Sequence, residues 1–162
     1  MINIEITETD KKYMAIAIEA SIKSEEMGGG PFGAVIVKDD GIIAIASNSV
    51  TIDNDPTAHA EVNAIREACR KLGTFKLSGC RVYSSCEPCP MCLSALYWAG
   101  VERIYYGNTK EDAAAIEFSD KFIYDELAQP QQSRKLQCLH MPDTGAIEAF
   151  RQWASKADKT EY

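Results

Sequence analysis

The chain has 162 residues, of which 46% are hydrophobic and 25% are charged. These values are typical of a globular domain and exclude a disordered or fibrous protein, and the length is sufficient for one hydrophobic core. The formal net charge of −7 disfavours nucleic acid as a partner, because we find no cluster of basic residues to offset it. We therefore predict a single domain over residues 1–162 and no nucleic-acid partner.

The sequence shows no membrane segment and no secretory signal. Its apolar runs are shorter than the roughly 20 residues of a membrane-spanning helix. Residues 1–5 lack the basic-then-apolar order of a signal peptide. We therefore predict no membrane partner and a cytoplasmic location, where closely spaced cysteines more often bind metal than form disulfides.

The first predicted elements are a helix and a hairpin. Thr9 and Asp10 can cap a helix whose apolar residues recur at helical spacing. The apolar positions of this helix are Tyr13, Met14, Ala17, Ile18 and Ile22. Two short apolar runs, 33–38 and 42–46, lie on either side of an acidic turn and predict a hairpin in a buried sheet.

Helices and strands alternate through the rest of the chain. The further predicted elements are a helix at 59–72, a strand at 81–85, a helix at 93–99, a strand at 101–106, a short helix around 118–127, a strand at 135–140 and a helix at 145–156. Together with the hairpin this gives five strands. The alternation predicts a three-layer α/β/α domain, opened by an antiparallel hairpin and continued by parallel crossovers.

Two short motifs, each at the start of a predicted helix, carry ligands for a metal. His59-Ala60-Glu61 supplies an imidazole and a carboxylate, and Pro88-Cys89-Pro90-Met91-Cys92 supplies two thiols on one helix face. The positive ends of the helix dipoles favour the thiolate form that binds metal. If the two helices lie side by side, His59, Cys89 and Cys92 hold one Zn²⁺ per chain, and water or hydroxide takes the fourth position.

Glu61 follows the histidine by two residues and lies outside the predicted metal shell. A carboxylate at this position can take a proton from zinc-bound water and pass it to the substrate. The combination of H-x-E and P-C-x-x-C is the signature of zinc-dependent nucleobase deaminases. We therefore predict hydrolytic loss of an amine, with Glu61 as the catalytic proton carrier.

A closed structural zinc site is the alternative interpretation. Cys86 would then be the fourth ligand beside His59, Cys89 and Cys92, and the chain would be a zinc-stabilised interaction module without turnover. Such a site gives no reason for Glu61, and a chain of this length needs no metal to hold its core. The sequence therefore favours the catalytic interpretation.

The other cysteines and the second histidine lack an evident chemical role. We expect Cys69, Cys80 and Cys138 in the core, because free cysteine is often buried. His140 is expected at a strand end. None of the four is predicted to take part in the reaction.

Segments well beyond the metal motifs resemble the bacterial guanine deaminases of the cytidine-deaminase fold. These segments are Gly30–Val35, Asn54–Glu61, Ser85–Cys92, Phe118–Tyr124 and Glu161–Tyr162. The resemblance covers nearly the whole chain. It implies a cytidine-deaminase-like fold with a central mixed five-stranded sheet, and hydrolysis of guanine to xanthine and ammonia in purine catabolism or salvage.

The resemblance also implies contacts with the purine. The implied residues are Phe32, Asn48, His59, Ala60, Trp98, Asp120 and Tyr162. Asn48 would hydrogen-bond the purine, Phe32 and Trp98 would line or cover its ring, and Asp120 would meet the N1 and amino edge as a second catalytic residue. Plainer roles stay open, namely a turn for Asn48, core packing for the two aromatic residues and a helix cap for Asp120.

Members of this family form a homodimer in which a carboxyl-terminal segment of one chain closes the site of the other. The resemblance implies the same for residues of about 143–162, and it would give Tyr162 a function. Guanosine, or another base handled by the same fold, is the alternative substrate. A tRNA adenosine editor is disfavoured by the acidic balance of the chain.

Overall fold

A computed structural model describes residues 5–162. Residues 1–4, part of the segment in which we find no signal-peptide pattern, lie outside the described residues. The chain forms two compact units, Met1–Asp120 and Lys121–Tyr162, and each is described by itself. The single domain over residues 1–162 stays a prediction.

The first unit alternates helices and strands. Its elements are α1 (Glu8–Glu26), β1 (Gly33–Lys38), β2 (Gly41–Ser47), α2 (Val50–Asp53), α3 (Ala60–Leu72), β3 (Cys80–Cys86), α4 (Pro90–Ala99), β4 (Arg103–Asn108) and α5 (Lys110–Ala115). The predicted hairpin, the two site helices and the next two strands are confirmed within a few residues. The short helices α2 and α5 were not predicted, because they lie in polar stretches without an apolar period.

The sheet is mixed and has the strand order β2-β1-β3-β4. β1 pairs antiparallel with β2 and with β3, whereas β3 pairs parallel with β4. The hairpin turn places Asp39 and Asp40 at φ of 48° and 59°, as in the turn types that suit a two-residue hairpin. The antiparallel hairpin and the parallel crossovers through α3 and α4 are as predicted.

Within residues 5–162 the sheet has four strands, so the prediction of five is wrong. Residues 135–140 form no strand. Their alternating apolar pattern permits extended backbone, but a strand also needs a neighbour whose backbone pairs with it. Here the side chain of Gln131 donates instead to the carbonyl of Cys138 at 2.8 Å. Cys138 and His140 are exposed, so neither the core position nor the strand end is confirmed for them.

The two faces of the sheet pack against different helices. Ala34 and Ile36 of β1 belong to an apolar cluster with α3 and α4, while Val35 and Val37 belong to a cluster with α1. Alternate residues of a strand point to opposite faces. The first unit is therefore a three-layer α/β/α arrangement with β1 and β3 at its centre.

The first helix begins earlier than predicted, and part of its apolar stripe is buried. Its N-cap is Thr7, and Asp10 is the third residue of a capping box rather than the cap. Of the apolar residues at helical spacing, Tyr13 and Ala17 are buried, whereas Ile18 and Ile22 are 44% and 54% exposed. The buried residues of this helix include the small residue Ala17. The helix backbone approaches β1 so closely there that a Cβ at Gly33 would lie 2.3 Å from the carbonyl oxygen of Ala17. The helix thus lies directly on the strand.

The second unit contains α6 (Lys121–Ala128), a 3₁₀ turn (Gln131–Ser133) and α7 (Ile147–Ser155). Both α-helices were predicted, although α6 begins after Phe118 rather than including it. Of residues 121–162, all of which are described, none is buried. No helix within the described part of the chain is long and apolar enough to cross a membrane.

Candidate active site

The two site motifs occupy equivalent positions on two helices. His59 is the N-cap of α3 and Cys89 is the N-cap of α4, as expected for helix starts. Neither side chain makes a capping hydrogen bond, and the thiol of Cys89 accepts from the backbone N–H of Cys92. Both side chains are therefore available to a ligand at the positive ends of two helix dipoles.

Three ligand atoms converge between these helix ends. The Nδ1 atom of His59 lies 3.6 Å from Sγ of Cys89 and 3.5 Å from Sγ of Cys92, and the three atoms lie within 4.8 Å of one another. A tetrahedral zinc ion, with bonds of about 2.0 Å to nitrogen and about 2.3 Å to sulfur, separates such atoms by about 3.5 Å. The donors and their spacing fit Zn²⁺.

The two thiols differ in acidity. A hydrogen bond from Cys92 lowers the pKa of Cys89, with a further contribution from His59. The pKa of Cys92 is raised, because its thiol is held in that hydrogen bond and is buried near Glu61. The hydrogen bond with Cys89 also raises the pKa of His59. The lowered pKa of Cys89 favours the thiolate form that binds a metal ion.

Cys86 does not join this group. Its thiol donates to the carbonyl of Thr109 at 3.7 Å, and burial raises its pKa to about 11. Among residues 5–162, the side chains grouped for a metal are those of His59, Cys89 and Cys92. Three protein ligands leave one coordination position open, as in catalytic rather than structural zinc sites.

Glu61 is buried beside the ligands. It is 6% exposed, and its Oε1 accepts a hydrogen bond from the hydroxyl of Ser84 at 2.9 Å. Burial raises the pKa of this carboxyl, against the effect of hydrogen bonds from Ser84 and Cys92. Ser84 was not predicted as a site residue. The available signal was a polar residue at an inward position of a strand that is otherwise apolar on that face.

Asn48 is held in place by backbone groups. Its side-chain oxygen accepts from the N–H groups of Gly30 and Val50, each at 3.2 Å, and its carbonyl accepts from the hydroxyl of Ser24 at 2.8 Å. The side chain of Asn63 on α3 donates to three oxygen atoms of the surrounding loop. The acceptor end of the Asn48 amide is thus occupied, and its NH₂ end is the part that a ligand would meet.

The remaining predicted residues have varied positions. Phe32 is half-buried and meets Phe118 edge to face at 5.1 Å between ring centres, and Ala60 is buried in the first turn of α3. Burial raises the pKa of the half-buried Asp120, and the charge of Cys89 adds to this effect. Trp98 on α4 is 64% exposed.

Tyr162 belongs to the second unit, where it is 76% exposed. Asp120 is the last residue of the first unit. The structure therefore brings Glu61 together with His59, Cys89 and Cys92, and the charge of Cys89 contributes to the raised pKa of Asp120. Contact of Trp98 and Tyr162 with a purine stays a prediction.

Comparison with known proteins identifies the arrangement. The cytidine and deoxycytidylate deaminase zinc-binding region matches residues 7–108. Guanine deaminase of Bacillus subtilis is 51% identical over 134 residues, which are 83% of this chain and 86% of that protein. A tRNA-specific adenosine deaminase of Aquifex aeolicus is 33% identical over 89% of this chain and 93% of its own length.

The fold agrees with these sequence relationships. The X-ray structure of guanine deaminase from Bacillus subtilis superposes with a TM-score of 0.91 at 46% identity, covering 94% of this chain and 98% of that one. The resemblance inferred from the sequence is therefore confirmed. The chain belongs to the family of cytidine and deoxycytidylate deaminases that carries this zinc-binding region.

Proposed function

We propose that this chain catalyses the hydrolysis of guanine to xanthine and ammonia with a zinc ion held by His59, Cys89 and Cys92. The observation that carries the substrate is the 51% identity with guanine deaminase of Bacillus subtilis over 83% of the chain. The metal site alone does not choose the base, because the same ligands serve deaminases of cytosine and of adenine. The geometry of the site supports the reaction type.

Bound zinc would supply the acidity that makes water a nucleophile near neutral pH. In the net reaction, a C–O bond forms at C2 of guanine and the C2–N bond to the exocyclic amine breaks. Glu61 takes one proton from water and delivers it to the ring nitrogen N3. It then takes the second proton from the hydroxyl formed at C2 and transfers it to the amine, which leaves as ammonia. Its burial supports this role, because a carboxyl with a raised pKa both accepts and returns a proton.

Polar side chains other than the metal ligands His59, Cys89 and Cys92 would orient the base. Asn48 presents N–H donors, because its oxygen is already bonded to Gly30 and Val50. Asp120 presents acceptors to the N1–H and amino edge of guanine. His59 and Ala60 lie at the start of α3, and Phe32 offers an aromatic face to the ring. These contacts distinguish guanine from a pyrimidine.

We also propose a homodimer in which residues of about 143–162 pack on the partner chain and Tyr162 closes its site. The second unit supports this arrangement. It exposes large apolar side chains, including Leu139 at 84% and Phe150 at 75%. Exposed apolar surface of this kind marks an interface.

An ammonia-release assay of the zinc-loaded protein tests the function. The substrates are guanine, guanosine, cytosine, cytidine, adenine and a tRNA. We expect guanine to give the highest kcat/KM. A higher kcat/KM for guanosine would show that the nucleoside is the preferred substrate. Turnover of a pyrimidine but not of guanine would contradict the proposal.

The replacement Asp120→Asn tests the substrate edge separately. This change replaces one carboxylate oxygen, a hydrogen-bond acceptor, by an NH₂ donor that cannot accept from guanine. We therefore expect a lower kcat/KM for guanine at unchanged zinc content. An unaltered kcat/KM would remove Asp120 from the site.

A further inference from the structure

Ser84 is a buried hydroxyl on the central strand β3. It lies two residues beyond Val82, which faces α3 and α4, whereas Tyr83 faces α1. Ser84 therefore shares the face of Val82. It is 1% exposed, and its hydroxyl donates to Oε1 of Glu61 at 2.9 Å. A hydroxyl in this apolar layer requires a partner, and the carboxylate is that partner.

The adjacent serine has a different partner. Ser85 is 3% exposed, and its hydroxyl accepts from the N–H of Gly33 at 3.0 Å. Ser85 points to the other face of β3, because neighbouring residues of a strand alternate. Of these two buried hydroxyls, only that of Ser84 bonds to the carboxylate of Glu61.

The strand gives Ser84 a fixed position. In the sheet register Ser84 lies opposite Ala34 of β1 and Tyr106 of β4. A site residue carried by a strand between two paired neighbours is placed more precisely than one on a loop. The last torsion of a glutamate is broad. The hydroxyl of Ser84 restricts it together with the backbone N–H of Glu61 and the thiol of Cys92, which also bond to this carboxyl.

We propose that Ser84 is a positioning residue for the deamination, an inference that rests on the proposed function. Its hydrogen bond occupies Oε1 of Glu61 and fixes the plane of the carboxylate. The second oxygen, Oε2, is then the atom that takes the proton from water and returns it to the base and the amine. Proton transfer requires this alignment within hydrogen-bond distance.

Kinetics of three variants test the proposal. We expect Ser84→Ala to lower kcat for guanine by about tenfold to a hundredfold, the effect of losing one hydrogen bond to a charged group. The KM and the zinc content should stay close to those of the wild type. Ser84→Thr keeps the hydroxyl and should recover most of the rate. Ser85→Ala is the matched control and should keep kcat.

A kcat of Ser84→Ala within twofold of the wild type would overturn the proposal. So would an equal loss of rate in Ser85→Ala, because the loss would then report general damage to β3. A fall in zinc content that accounts for the lower rate would also overturn it.

Thermal unfolding separates this inference from the function itself. We expect Ser84→Ala to lower the Tm of the zinc-loaded protein by a smaller amount in a Glu61→Ala background than in the wild type, because the partner is already gone. Equal shifts in the two backgrounds would overturn the proposed bond. If the wild type releases no ammonia from guanine, the proposed function fails, whereas this cycle still tests the bond between Ser84 and Glu61.

Discussion

At the scale of single residues, the site separates side chains that would hold a metal from one that would move a proton. His59 and Cys89 are N-cap residues, and their side chains lie at the helix ends. Glu61 lies inside α3 and is buried against Ser84. The carboxylate of Glu61 is thus bonded to the sheet through Ser84 and to the metal ligands through Cys92.

The replacement Glu61→Gln should remove the proton carrier and keep the metal. Glutamine has nearly the size of glutamate and can still accept from Ser84, but it cannot take up a proton. We expect kcat to fall at least about a hundredfold, the lower end of what acid–base catalysis contributes, while zinc per chain stays equal to the wild type. Activity within a few fold of the wild type would contradict the role of Glu61.

Cys86 and Cys92 give a matched test of the ligand set. Cys92→Ser should lose zinc, because a hydroxyl is a poor replacement for a thiolate ligand. Cys86→Ser should keep it, because the new hydroxyl can still donate to the carbonyl of Thr109. Metal analysis of the purified variants checks both. Loss of zinc from Cys86→Ser would favour the closed structural site.

At the scale of elements, the start of α1 is tied to the sheet. Thr7 and Asp10 form a capping box, and Oδ1 of Asp10 also accepts from the hydroxyl of Tyr83 on β3 at 2.6 Å. Burial acts to raise the pKa of Asp10, but the hydrogen bonds from Thr7 and Tyr83 and the charge of Arg81 outweigh it and lower the pKa. One carboxylate thus joins a helix end to the central strand.

The lowered pKa of Asp10 predicts acid sensitivity. In the unfolded chain this carboxyl has its ordinary pKa of 3.8, so its stabilisation is complete above that pH and is lost as the pH falls below it toward the lowered value. Asp10→Asn should lower the free energy of unfolding at pH 7 by about 1–3 kcal/mol. Denaturant unfolding should show a smaller difference between variant and wild type below pH 3.8. A difference independent of pH would contradict this prediction.

At the scale of the whole molecule, the second unit exposes an apolar surface that a partner chain would cover. The apolar stripe of α7 consists of Ile147, Phe150 and Trp153, which are 52%, 75% and 42% exposed. An amphipathic helix normally buries such a stripe. A second copy of the chain would cover it in the proposed homodimer.

The replacement Phe150→Asp should weaken the homodimer, because it places a charge in the proposed interface. Light scattering should give twice the 17.9 kDa chain mass for the wild type and a shift toward the monomer for the variant. Gln152→Asp adds the same charge on the polar side of α7 and should stay dimeric. A monomeric wild type, or equal effects of the two variants, would contradict the interface.

The sequence by itself determined the metal motif and most of the elements. His59, Cys89 and Cys92 could be predicted because ligand spacing and helix starts are local properties of the chain. The hairpin, α3 and α4 were likewise predicted from apolar periods and from glycines such as Gly73, which ends α3 at a φ of 65°. Each of these signals depends on residues that are close together in the chain, so it can be recognised in a single sequence.

Only the tertiary structure decided which distant groups meet. It separated Cys86 from the metal ligands, placed Ser84 against Glu61, and joined Asp10 to Tyr83 across 73 positions of sequence. It also removed the predicted strand at 135–140, because a strand depends on a neighbour as well as on its own alternation. Hydrogen bonds between residues far apart in sequence depend on how the layers pack, and no local pattern contains that information.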